Sequence, residues 1–131
     1  MDVHDSQWLE TSYRVVPPVS LGRRSEAVET QRSLMPPPVY FGPYVQAAAA
    51  ARPCHAIGGD FFDYVDTGQE FHVLLGDASG KGTPAALEAA LVQGILPADV
   101  ETASGAARVV GQLNRTLCRR GMAERFVTLF Y

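Results

Sequence analysis

The sequence predicts an α+β domain, and three observations carry that prediction. Residues 60–76 alternate apolar and polar side chains about a short polar turn, the pattern of an antiparallel β-hairpin. A glycine-rich stretch, GDASGKG (76–82), follows the hairpin and opens a helix with large apolar residues at helical spacing. A second helix and a closing strand pattern, FVTLFY (126–131), come after it. Strands that pair as a hairpin, followed by a run of helices, belong to the α+β class.

The bulk properties narrow the class of function. A chain of 131 residues, 47% hydrophobic and 19% charged, is one domain with enough apolar material for a core. A net charge of −3 and a pI near 5.5 provide no basic field for nucleic acid or an anionic membrane. No run approaches the roughly 18 apolar residues that cross a bilayer. Asp2, His4, Asp5 and Glu10 stand where a secretion signal needs a basic start and an apolar run. The expectation is a cytoplasmic chain with no membrane insertion and no nucleic-acid partner. Cys54 and Cys118 fit no metal or redox spacing and read as reduced, buried thiols.

Along the chain, residues 1–22 read as a tail or linker. Residues 23–38 read as a linker helix with a proline break. The helix spans Arg23 to Met35 with Ala27, Val28, Gln31 and Leu34 near one face, and Pro36-Pro37-Pro38 stops it. Residues 39–131 form the globular part. Within it, Val45 to Arg52 contains five consecutive alanines, Ala47–Ala51. Propensity there favours helix, but the segment between Pro43 and Pro53 is short, and a strand of small side chains competes.

A two-residue turn at Thr67-Gly68 would set Asp66 opposite Gln69 and Asp60 opposite Leu75, with Asp77 two residues further on. Period-two alternation then puts Asp60, Phe62 and Tyr64 on one face with Phe71, Val73, Leu75 and Asp77, so an apolar face ends in two carboxylates. Thr83-Pro84 reads as an N-cap followed by a first-turn proline. The helix it opens carries a Leu87, Leu91, Ile95 stripe and closes at Pro97. The second helix runs from about Ser104 to Arg120, with Val110, Leu113, Asn114 and Leu117 on its inner face and Gly121 as its stop.

The chemistry concentrates in residues 57–86. Five of the fourteen acidic residues lie there, Asp60, Asp63, Asp66, Glu70 and Asp77, yet no Lys or Arg stands between Arg52 and Lys81. The glycine-rich turn fails the phosphate-binding P-loop pattern, because Leu75 stands at its first glycine and Gly82 at its Ser/Thr. Gly80, Gly82 and Ala85 satisfy a dinucleotide fingerprint on paper, but an antiparallel hairpin precedes them and Asp77 would face the pyrophosphate. A third reading leaves the glycines as a tight turn and Asp77 as a local cap. Against it stands the second carboxylate at the same end of the hairpin. Hard divalent cations take carboxylate and carbonyl oxygens, which Asp60, Asp77 and the turn backbone supply. Asp63 points to the other face and reads as structural; Asp66 and Glu70 at the turn end read as solvated. His4, His55 and His72 lack ligand spacing, and Ser79 lacks a nucleophile context. Asn114 reads as a core polar group. Lys81, the single lysine, is either a contact for an anionic substrate or a solvated turn residue.

In order, QRSLMPP (31–37), IGGDFFDY (57–64), LLGDASGKGTPAA (74–86), LN (113–114) and FVTLFY (126–131) resemble the PPM family of metal-dependent protein serine phosphatases, in its bacterial SpoIIE/RsbU branch. The resemblance covers residues 31–131. It implies an α-β-β-α sandwich of PPM type, present here as an incomplete N-terminal half. It further implies two Mn²⁺ or Mg²⁺ ions between the sheets, with Asp60 and Asp77 as ligands, Asp77 bridging, and the Ala78 carbonyl as a further oxygen. A bridging water would attack phosphoserine on a regulatory protein, in this branch an anti-sigma-factor antagonist. Such domains often follow sensory modules through a helical linker, which residues 23–35 resemble and through which a full-length parent could dimerise. Domains of this family are about twice as long and carry further metal-binding aspartates later. The chain therefore reads as an N-terminal piece, and the alternative is a non-catalytic, phosphatase-like interaction module.

Overall fold

Pairing along the hairpin organises the molecule, and it departs from the simplest turn. The computed structural model describes residues 26–52, 56–120 and 124–131. In chain order these form α1 (Glu26–Leu34), β1 (Val39–Phe41), β2 (Gln46–Ala48), β3 (Asp60–Asp66), β4 (Phe71–Ala78), α2 (Thr83–Thr102), α3 (Ala106–Arg120) and β5 (Val127–Phe130). The fold class is α+β, with every strand pair antiparallel. The tail expected over residues 1–22, the start of the linker helix, His4, Cys54, His55 and Gly121 lie outside the described residues.

The β3–β4 loop has four residues, not two, so Asp66 pairs with Phe71 and Asp60 pairs directly with Asp77. Side chains dictate the longer loop. The Gly68 amide donates to Asp66 Oδ1 at 2.7 Å, the Glu70 amide to Thr67 Oγ1 at 3.0 Å, and the Thr67 amide to the Glu70 carbonyl at 3.1 Å. Because the register moves by an even number of residues, the faces stay as expected.

The face carrying Phe61 and Leu74 meets the helices. Its core joins those two residues to Ala89, Val92, Leu96 and Val100 of α2 and Val109 and Leu113 of α3. The sheet order β3-β4-β5 makes β4 central. Phe61 lies opposite Gly76, and a Cβ on Gly76 would come within 2.3 Å of the Phe61 ring. The glycine is what allows the ring to lie across the neighbouring strand.

The helices correct the sequence reading in five places. Thr83 is the first helical residue, and the N-cap is Gly82, without a side-chain cap bond. Helix α2 continues through Pro97 to Thr102. An interior proline costs about 3 kcal/mol, and Leu96 and Val100, both buried, hold the helix to the core on either side of it. The surface of α2 against the sheet consists of Ala85, Ala89, Val92, Leu96 and Val100, while Leu87 is 57% exposed. Alanines let the helix axis approach the sheet closely, so the large residues fall to the flank. On α3 the buried positions are Val109 and Leu113; Val110 and Leu117 are half-buried and Asn114 is exposed. Cys118, expected to be buried, is exposed.

The alanine segment resolves in favour of the strand, with β2 pairing β1. This small hairpin lies on the other face of the main sheet, where the Tyr40 ring stacks on Phe71 at 4.6 Å and approaches Tyr64 at 6.4 Å. The Tyr40 hydroxyl donates to Asp66, which holds the Asp66 carboxyl below and the Tyr40 phenol above their ordinary ranges. Two glutamines fix α1. Gln31 donates to the Gly58 carbonyl at 2.6 Å and accepts from its amide at 3.1 Å. Gln93 donates to the carbonyls of Leu34 at 3.2 Å and Phe62 at 3.3 Å.

Two stability predictions follow from this packing. Replacing Gly76 by Ala forces a methyl against the buried Phe61 ring and should cost about 1–3 kcal/mol in urea unfolding; an unchanged midpoint would show that the ring is free to move. Burial pushes the Asp63 carboxyl above its ordinary range, with the Tyr64 amide bond pulling it partly back. The folded state then holds the proton more tightly than the unfolded chain, so stability falls as pH rises from the unfolded carboxyl value through the raised one. Asp63→Asn should raise the melting midpoint at about pH 7 and lose that advantage by about pH 3, where both states are protonated.

Candidate metal centre

One end of the main sheet collects the acidic residues that the sequence singled out. Asp60 is the first residue of β3 and Asp77 the last but one of β4, and they are direct Cα partners. Directly opposed residues on one face of an antiparallel pair have Cβ atoms about 4.5–5.5 Å apart. Both carboxylates are exposed on the face away from the helices. Thr128 of β5 pairs with Asp77 from the other side, its hydroxyl donating to the Asp77 carbonyl at 3.4 Å. Among the described residues no cation neutralises either carboxylate; the ion pair found there, His72 to Glu70 at 3.5 Å, lies at the opposite end of the hairpin.

Ala78 is fully buried, and its amide donates to the Gly59 carbonyl at 3.1 Å. The Ala78 carbonyl lies so near Gly59 that a Cβ there would stand 2.4 Å from it. Glycine before Asp60 is thus a requirement of close backbone approach, which the doubled glycine in IGGDFFDY signals but which no spacing rule assigned to Ala78.

The turn after Ala78 is held by β5. The Ser79 amide donates to the Phe126 carbonyl at 2.8 Å, the Phe126 amide donates to Ser79 Oγ at 3.1 Å, and Arg125 Nη1 donates to the Ser79 carbonyl at 2.8 Å. A Cβ on Gly80 would meet the Arg125 guanidinium at 2.8 Å. Arg125 was not singled out in the sequence, because its partner is 46 residues away and leaves no local signature. Lys81 is exposed in this turn. Asp63 faces the helical side and accepts from the Tyr64 amide at 2.8 Å. His72 lies on that side too, 2.7 Å from the Tyr131 hydroxyl.

A cleft of about 470 Å³ opens over the pair, lined by Asp60, Asp77, Thr128, Leu75, Phe130 and Arg52 among others. Its oxygen donors suit a hard divalent cation. Two carboxylates and one carbonyl are only part of a coordination sphere, and among the described residues no group of three or more His, Cys, Asp or Glu gathers.

Residues 67–131 match the family described as Stage II sporulation protein E (SpoIIE), a stretch that includes Asp77 and Ala78. Over 105 residues, 80% of the chain, the sequence is 27% identical to the phosphoserine phosphatase RsbU of Bacillus subtilis (strain 168). The chain spans 31% of the length of that relative. The likeness to the SpoIIE family thus lies in residues 67–131, and the chain as a whole is similar to part of the phosphoserine phosphatase RsbU.

Proposed function

We propose that the chain is the metal-binding part of a cytoplasmic, metal-dependent serine/threonine protein phosphatase. The observation that carries this reading is the direct pairing of Asp60 with Asp77, both exposed and without a cation among the described residues. Like charges directly opposed across a ladder destabilise a sheet, and a divalent cation between them removes that repulsion. In this reading the two carboxylates and the Ala78 carbonyl hold one side of a Mn²⁺ or Mg²⁺ centre that has two ions in the complete domain. When bound, such ions supply an acidified water and positive charge for the phosphoryl group. The chain's own residues fix geometry: Gly59 admits the Ala78 carbonyl, and Arg125 with Phe126 pins the turn beyond it. In this reading Lys81, exposed in that turn, contacts the anionic substrate.

The substrate in this proposal is phosphoserine on a regulatory protein, an anti-sigma-factor antagonist, in keeping with the phosphoserine phosphatase to which the chain is similar. A complete α-β-β-α sandwich would lay its second sheet over Leu75 and Phe130, which are 49% and 69% exposed on the outer face. Helix α1, with no buried residue, would then be the end of a linker able to pair two full-length copies. A second reading, a phosphatase-like module that binds its partner without turnover, is favoured by one fact: no third acidic or imidazole ligand joins the pair among the described residues.

Titration calorimetry with Mn²⁺ separates these readings from a site that holds no metal. Asp77→Asn should weaken Mn²⁺ binding on the order of 100-fold and abolish metal-dependent phosphate release in the full-length parent. Undiminished release would reject the phosphatase assignment of Asp77, and binding that survives without release would favour the interaction module. Gly59→Ala leaves both carboxylates in place but displaces the Ala78 carbonyl, so Mn²⁺ affinity should fall about ten-fold. Unaltered affinity would remove that carbonyl from the centre.

A further inference from the structure

A second cavity, of about 720 Å³, adjoins the cleft over the aspartates and shares Ala50, Ala51, Arg52, Asp60 and Phe62 with it. It lies between α1, the proline break and the segment that leaves β2. Val28, Met35, Pro36 and Phe62 make its lining largely apolar. Its charged lining residues are Arg32, Arg52 and Asp60, with Asp60 at the boundary to the metal-site cleft. Among the described residues neither guanidinium has an ion pair or a side-chain hydrogen bond. Two cations without a partner among the described residues therefore line an apolar trough in a chain whose net charge is −3.

The backbone adds a third feature. The Ala49 amide is used, donating to the Pro38 carbonyl at 2.9 Å, but Ala50, Ala51 and Arg52 lie beyond β2 and make no backbone hydrogen bond among the described residues. An exposed run of this kind can pair with an extended peptide, which gains affinity from the main chain and selectivity from alternate side chains. The walls are fixed beforehand, because Gln31 binds Gly58 and Gln93 binds Leu34 and Phe62. A cavity of this size lies within the range of ligand pockets, and preorganised walls reduce the ordering cost of binding.

We infer that this trough docks an extended segment of the protein substrate, with an acidic side chain against Arg32 and Arg52 and an apolar one against Met35 and Phe62. The inference rests on the phosphatase reading, since the docked segment would deliver its phosphoserine across Asp60 to Asp77. It assigns selection of the polypeptide to a surface separate from the metal ligands.

The test uses the whole chain with Mn²⁺ and a fluorescein-labelled nonapeptide carrying a central phosphoserine, with leucine and aspartate on one side. A second peptide has lysine for the aspartate. Fluorescence anisotropy should show saturable binding of the first peptide, and binding of the second about ten-fold weaker, as expected for loss of a charged hydrogen bond. The double variant Arg32→Glu, Arg52→Gln alters exposed residues and should erase the preference while its melting curve stays in place. Equal binding of both peptides, binding of neither, or a preference that survives in the double variant would each overturn the inference. Mn²⁺ calorimetry on the same samples distinguishes the two failures. Mn²⁺ binding without peptide preference rejects the trough alone; peptide preference without Mn²⁺ binding keeps the trough and rejects the metal-dependent reading; absence of both rejects both.

Discussion

The ladder between β3 and β4 sets the core and the candidate site in a single act. Its register is fixed at the turn end, where Asp66, Thr67 and Glu70 satisfy one another and the Gly68 amide. From that point each residue of β3 has a determined partner. Phe61 falls on Gly76, which lets a large ring lie flat under the helices, and one position further along Asp60 falls on Asp77. A slip of one residue would turn the carboxylates toward α2 and the core phenylalanine toward solvent. Packing of the helices against Phe61 and Leu74 therefore protects the alignment of the acidic pair, although no helix residue belongs to the pair.

The opposition of two carboxylates runs against the stability of the ladder that holds them. Repulsion across an exposed pair amounts to about 0.2–1 kcal/mol, which the buried core can absorb. The sequence does not relieve it locally: Lys81 and Arg125 are both close in the fold, yet Arg125 is committed to the Ser79 carbonyl and neither pairs with Asp60 or Asp77 among the described residues. Elsewhere the same chain does satisfy its acids, as Asp66 shows by accepting from both Tyr40 and Gly68. The contrast is between an acid bonded within the protein at one end of the hairpin and two exposed ones at the other that have no cation partner among the described residues.

Alternation made much of this legible in the sequence. The two faces of the hairpin, and the presence of Asp60 and Asp77 on one of them, depend only on parity, and parity survived a turn two residues longer than the shortest one. The turn itself was not legible, because its length follows from side-chain hydrogen bonds that no apolar pattern encodes. Helix α2 misled for a related reason. Its Leu87, Leu91 and Ile95 draw the eye, but the buried face is made by Ala85 and Ala89 together with Val92, Leu96 and Val100, and Leu87 is exposed. Pro97 signalled an end that burial on both sides overrode. Around the site, the aspartates announced themselves through an absence of nearby bases. Arg125 and Arg52 did not, since each acts on a part of the chain that only folding brings close.

The sheet also presents two surfaces of different character, and the division has a structural cause. Its helical side is a closed core in which Leu74, Val92 and Val109 are fully buried. Its other side is covered at the turn end by the Tyr40, Tyr64 and Phe71 rings and lies open toward the aspartates, where Leu75 and Phe130 stay exposed. Covering the turn end is the work of β1 and β2, while Gln31 of α1 binds the segment before β3 and Gln93 of α2 bridges the end of α1 to Phe62 of β3. These two glutamines bind backbone groups on either side of Asp60, at Gly58 and Phe62. A displacement of α1 would have to break the Gln31 bonds to Gly58, two residues before Asp60, and the Gln93 bond from α2 to the Leu34 carbonyl. The entering helix and the end of the sheet that gathers the acids are thus linked both directly and through α2, with three residues between the two anchoring points, Gly58 and Phe62.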